Sequence, residues 1–155
     1  MEINRWHKII KMMNLPEEME RLKTFHGHLG PWAVVGYRMG QTARKKFTNK
    51  LWVVVYTGTE PPMSCLIDGV QFTSCCTMGK GNIKIKDDNL AMGMFYDEKA
   101  ILEIRLKDKW RRKIDSETTK ENEEEISMEV FQAKDEELFR ITKAESLIED
   151  RIVKL

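Results

Sequence analysis

The sequence predicts a single α+β domain, and three observations carry that expectation. The first third is a series of helix-period segments punctuated by proline and glycine. A continuous β-branched and aromatic run, LWVVVY at Leu51–Tyr56, then opens a region rich in strand-like pieces. The length, 155 residues, suits one compact unit. A chain of that size buries about two thirds of its unfolded surface and needs no covalent staples. The expected boundaries are one domain over residues 1–145 and a C-terminal tail over 146–155.

In chain order, residues 4–13 place Trp6, Ile9, Ile10 and Met13 at helical spacing. Pro16 opens a second helix with Glu17 and Glu18 in its first turn, where the helix dipole favours acidic groups. Met19, Leu22 and Phe25 form its apolar stripe. Pro31 suits the first position of a third helix running to about Lys46. Gly36 and Gly40 lie four apart on it. Each costs about 1 kcal/mol relative to alanine in a helix, so their use points to close approach of another backbone.

Leu51–Tyr56 reads as a strand buried on both faces. TGTEPP ends it, and Ser64–Phe72 reads as a short helix. Cys75–Asn82 is a turn-rich loop. Ile83–Asp87, Leu90–Asp97 and Ala100–Leu106 follow as strands, with KDDN and DEK as hairpin turns, which predicts an antiparallel meander. Residues 115–134 read as one surface helix whose acidic run is its solvated face. Leu138–Thr142 supplies a fifth strand.

Composition narrows the function classes. A formal net charge of +1 gives no bulk attraction to nucleic acid or anionic lipid. The longest apolar run, Leu51–Val55, is far too short to span a bilayer. The opening MEINRWHKIIKMMNL lacks an apolar signal core, so a cytoplasmic location is expected. Three cysteines, two of them adjacent, argue against a disulfide framework. Together with ten methionines, they fit a reducing or anaerobic cell.

The candidate chemistry lies in two segments on either side of the first strand. In His26-Gly27-His28, two imidazoles two residues apart can aim at one point, and the glycine lets the chain turn or a ligand approach. His28 precedes a helix start, whose positive dipole end favours the neutral, ligating ring. In PPMSCLIDGVQF, Cys65 stands at a helix start, where a thiolate is stabilised for use as ligand or nucleophile. Asp68 shares its face and could orient a ligand or accept a proton. In SCCTMGKGN, glycines two apart around Lys80 offer backbone N–H groups and a cation near Cys76; the plainer alternative is a tight loop into the strand at Ile83. The spacing of a nucleotide-binding P-loop is absent, as is the CxxC of a redox pair. Mixed sulfur and nitrogen donors are typical of zinc, while nickel, iron and copper are also compatible with these ligand types.

FHGHLGPWAVVGYRMG, followed about 35 residues later by SCLIDGVQFTSCCTMGKGNI, resembles the FmdE family, named for a component of molybdenum/tungsten formylmethanofuran dehydrogenase. The resemblance covers about residues 15–145. It implies a thioredoxin-like core with a mixed sheet flanked by helices, and a metal site. By the resemblance, His28, Cys65 and Cys76 form the core of the metal site, with His26 as a further ligand or a group that orients one, and Asp68, Gln71 and Lys80 in the accompanying elements. Many relatives carry Cys-Pro-Gly where this chain has Gly30-Pro31-Trp32, and many continue into a C-terminal zinc finger. No cysteine follows Cys76 here.

The expected function is therefore a metal-binding protein associated with formylmethanofuran dehydrogenase-type anaerobic one-carbon metabolism. Its His/Cys site is potentially catalytic through Cys65, Cys76, Asp68 and Lys80. Two alternatives stand beside it. One is a thiol enzyme with Cys65 or Cys76 as nucleophile and His28 as base. The other is a non-catalytic homodimeric scaffold built on the Gly36/Gly40 helix face, the acidic helix or the tail. No nucleic-acid or membrane partner is expected.

Overall fold

A computed structural model describes Arg5 and residues 14–144. The helix expected over residues 4–13 and the tail at 146–155 lie outside the described residues. The elements in order are α1 (Glu17–His26), α2 (Pro31–Lys46), β1 (Trp52–Val55), and a 3-10 turn (Met63–Cys65) leading into α3 (Leu66–Ser74). There follow β2 (Ile83–Ile85), β3 (Met92–Tyr96), β4 (Ile101–Leu106), α4 (Asp108–Glu117), α5 (Glu123–Gln132), α6 (Asp135–Leu138) and β5 (Phe139–Ala144). The domain is α+β with a mixed, open five-stranded sheet, and it is compatible with a thioredoxin-like core.

The strand order is β2-β1-β3-β4-β5. β1 pairs with β2 in parallel, Val53 opposite Ile83, and every other pairing is antiparallel. The expected meander is therefore only partly right. β3 and β4 form the hairpin, closed by Asp97, whose carboxylate accepts from the N–H groups of Lys99 and Ala100. β2 and β3 are not neighbours, because β1 lies between them. Its uninterrupted apolar run, read from the sequence as a strand buried on both faces, suits an interior position between β2 and β3. The KDDN stretch is a crossing connection tied back to the end of β1: Thr57 bridges Asp87, and Gly58 N–H donates to the Lys86 carbonyl.

One face of the sheet, with Val53, Val55, Phe95, Leu102 and Ile104, joins the helices in the main core. Val54, Met94, Tyr96 and Ile101 form a separate cluster. In α1, Met19 and Leu22 are fully buried, whereas Phe25 is 53% exposed and rests on Phe72 at 5.7 Å between ring centroids. Its expected place in the buried stripe is thus corrected.

α2 is the hub, buried without interruption from Pro31 to Gly40. Its glycines meet α3 backbone to backbone. A Cβ on Gly36 would run into the Leu66 carbonyl, and one on Gly69 would run into the Ala33 carbonyl. Thr73 adds a cross-helix bond, its hydroxyl donating to the Tyr37 carbonyl at 2.8 Å. Small residues on both helices let the axes approach in the manner of small-xxx-small pairs. The Gly36/Gly40 face is therefore spent inside the chain and is not a homodimer contact.

Residues 115–134 are two helices rather than one. The break at Thr118–Asn122 is held by local side-chain bonds. Asn122 accepts from the Thr119 N–H and donates to the Glu117 carbonyl, offering the backbone an alternative to the helix ladder. α4, highly charged apart from Trp110 and Ile114, gave too weak a stripe to be foreseen. α5 is locked to the hub by buried Arg38, whose guanidinium donates to the Val130 and Phe131 carbonyls and to Asp135.

Gly36→Ala or Gly69→Ala should cost at least about 3 kcal/mol, because backbone rather than a mobile side chain opposes the added methyl. Gly79→Ala, with nothing nearby, should stay within about 0.5 kcal/mol. Urea denaturation of the three variants checks the contrast.

Candidate functional site

The close α2–α3 packing brings two helix starts side by side, and the histidines arrive from the end of α1. His26 is the last residue of α1. Gly27 follows with φ 101°, the left-handed conformation that ends helices and that glycine adopts without strain. This reversal, rather than an extended HxH strand, directs both rings to one place. Their centroids lie 4.7 Å apart. His28 then leads through Gly30 into Pro31, the first residue of α2.

His26 is the best-fixed group. Its side chain is 8% exposed, and Nδ1 lies 2.6 Å from the Asp68 carboxylate in the first turn of α3. A carboxylate partner holds the proton on Nδ1 in the neutral ring and leaves the Nε2 lone pair free. Nε2 is buried and has no protein partner. His28 is 53% exposed, with Nδ1 3.4 Å from Glu123 at the start of α5. The next residue, Glu124, accepts from Lys23 at 2.7 Å and raises the lysine pKa. Part of the acidic run thus clasps the basic end of α1 rather than facing solvent.

These residues wall a cavity of about 210 Å³ lined by His26, His28, Trp32, Cys65, Thr118 and Glu123, with Pro31, Ala33, Pro62 and Ile114 as apolar wall and Asp115 beside them. Trp32 Nε1 and Thr118 Oγ1 are also buried without a protein partner. All three such atoms among the described residues belong to this one cavity. Leaving a buried polar group unpaired costs about 1–3 kcal/mol, so their concentration marks a place built for something polar.

Of the candidate residues, the structure brings together His26, His28, Cys65 and Asp68. It does not bring Cys76 or Lys80. Cys76 lies beyond the far end of α3, a nine-residue helix about 13 Å long that separates it from Cys65. It is fully buried, its thiol directed to the Leu51 carbonyl at 3.4 Å. The GKGN loop is fixed internally. Asn82 accepts from the Thr77 N–H and donates to the Leu51 carbonyl, and Gln71 accepts from the Met78 N–H. The tight-loop alternative is the one realised, and exposed Lys80 lies with it, away from the cavity.

The thiols also differ from expectation. Burial pushes the Cys65 thiol up, and the nearby Asp68 charge adds to this, overriding any effect of the helix start. Burial likewise raises Cys76, against the opposing Ser74 hydrogen bond. Among the described residues, no three His, Cys, Asp or Glu side chains stand ready-made around a cation. The feature that fits a metal is the carboxylate-anchored His26 with its unpartnered Nε2, beside exposed His28 and the Cys65 thiol. Trp32, Thr118 and Glu123 were missed in the sequence because their partners lie some 90 residues away.

The fold and cavity define a class: a single-domain α+β protein with a His/Cys-lined polar pocket at the start of two glycine-packed helices. Residues 25–145 match the family described as FmdE, molybdenum formylmethanofuran dehydrogenase operon, and the chain belongs to that family. No curated protein matches the sequence. Among solved structures, the chain is similar in fold to a tungsten formylmethanofuran dehydrogenase FmdE-like protein from Syntrophus aciditrophicus. The TM-score is 0.57 at 19% identity, over 86% of this chain and 73% of the other. No helix among the described residues is long and apolar enough to cross a membrane.

In metal-free protein, exposed Cys75 should be alkylated first, while Cys65 and Cys76 should accelerate only above the ordinary thiol value of 9.0. Their raised native values also set a sign for stability. The contribution is complete below the unfolded thiol range and is lost as pH rises through the native values. Mass-resolved iodoacetamide labelling against pH, with urea melts over the same range, reads both.

Proposed function

We propose that this chain is a metal-binding accessory protein of formylmethanofuran dehydrogenase-type anaerobic one-carbon metabolism. In this reading His26, His28 and Cys65 hold a transition metal ion, zinc by the mixed nitrogen and sulfur donor set. Family membership supports the association with molybdenum or tungsten formylmethanofuran dehydrogenase subunits. The observation that carries the site is the buried, unpartnered Nε2 of a histidine whose other nitrogen is held by Asp68. When bound, such an ion with three protein ligands supplies Lewis acidity at an open fourth position.

The chain's own residues have separable tasks. Asp68 orients the His26 ring. His28, exposed and 3.4 Å from Glu123, lines the same cavity. Cys65 would serve as a ligand in its thiolate form, which a cation's charge would favour despite burial. The raised thiols weigh against the thiol-nucleophile reading, because the reactive thiolate is scarce near neutral pH.

Protein purified without a nickel column and assayed by elemental analysis should carry about one equivalent of a transition metal. Less than a tenth of an equivalent, with no uptake on addition, would sink the metal reading. Asp68→Asn should weaken zinc affinity by about 10–100-fold in competition with a chromophoric chelator, whereas Cys76→Ser should leave it unchanged.

A further inference from the structure

The metal reading uses only part of the cavity lining. The remainder includes Trp32 in the first turn of α2 and Thr118 just past the end of α4, with Pro31, Ala33, Pro62 and Ile114 as apolar wall. Trp32 is 3% exposed, and its indole N–H has no partner. The buried Thr118 hydroxyl is likewise unpartnered. An indole N–H only donates, and a hydroxyl donates readily, so this wall asks for an acceptor oxygen.

Charge defines the rest of the ligand. Asp115 and Glu123 line the cavity, Asp68 stands behind His26, and no lysine or arginine lines it. With no metal bound, an anionic acceptor would meet the Asp115 and Glu123 carboxylates; Arg111 lies 3.9 Å from Asp115 but does not line the cavity. A cationic ligand would leave the two donors unsatisfied. A neutral carbonyl satisfies both conditions. Its size follows from the 210 Å³ volume: a 150 Å³ apolar cavity holds benzene, so this one admits about eight non-hydrogen atoms.

We infer that this wall is a binding subsite for a small neutral carbonyl compound of the amide type, whose oxygen accepts from Trp32 Nε1–H and Thr118 Oγ–H. The inference rests on the cavity being the functional site, but not on the identity or presence of the metal. Each donor exposes less than 1 Å² to solvent, so entry requires a lining side chain to turn; exposed His28 and half-buried Thr118 are placed to do so.

The test is an NMR titration of the full ¹⁵N-labelled chain with butyramide, using butyrate and butylammonium as charged counterparts of matched size. It is run once with chelator and once after zinc addition, with zinc stoichiometry measured on the same samples. The Trp32 indole N–H resonance, assigned by its loss in Trp32→Phe, should shift saturably with butyramide in both series. In the chelator series both charged compounds should bind at least tenfold more weakly. Thr118→Val, nearly isosteric at a half-buried position, should weaken butyramide about 3–10-fold, the worth of one hydrogen bond. Gly79→Ala should change nothing. An unmoved Trp32 resonance at 100 mM butyramide, or butyrate binding as tightly in the chelator series, overturns the inference. A chain that takes up no zinc yet binds butyramide overturns only the metal reading.

Discussion

The structure depends on the contact between α2 and α3, where Gly36 and Gly69 let two backbones touch. That contact sets everything near it. It places the start of α3, with Cys65 and Asp68, beside the start of α2, with Trp32. The left-handed turn at Gly27 then delivers His26 and His28 to the same corner. A wider helix spacing would lengthen the 2.6 Å His26–Asp68 contact and release the ring it orients. The glycines are thus as much part of the site as the side chains that line it, although none of their atoms need touch a ligand.

Local signals made much of this legible from the sequence. Pro16 and Pro31 begin α1 and α2 where their fixed φ suits a helix start, and α2 ends at Lys46 as its pattern implied. The β-branched run became the central region of the sheet. What failed was non-local. Whether β2 pairs with β3 or with β1 depends on a crossover through α3, and no residue of the KDDN turn encodes that choice. Helix α4 was hidden because its stability comes from packing Ile114 into the core, not from a repeated stripe.

The site was legible by halves for the same reason. His26, His28, Cys65 and Asp68 sit on elements joined by local geometry. Cys76 looked equivalent to Cys65 in the sequence, since both flank the same helix, but a helix separates its ends. The buried Cys76 thiol bonds to the Leu51 carbonyl, and Asn82 bonds to that same carbonyl, so this end of the motif fixes the start of β1. A sequence motif shared along a family can therefore contain both a site and a scaffold, and spacing alone does not divide them.

The charge balance of the cavity gives the last step. Cys65 is held as a thiol by burial and by the neighbouring Asp68 charge. His26 and His28 line the cavity with Asp115 and Glu123, and no lysine or arginine does. Such surroundings oppose a free thiolate and oppose anions. A cation reverses both tendencies at once, because it favours the thiolate as ligand and is itself favoured by the acidic wall. The features that make Cys65 a poor nucleophile in isolation are the ones that suit it to a metal, and the two roles separate on electrostatics rather than on residue type. Trp32 and Thr118 line the same cavity and add polar but uncharged donors for whatever shares it.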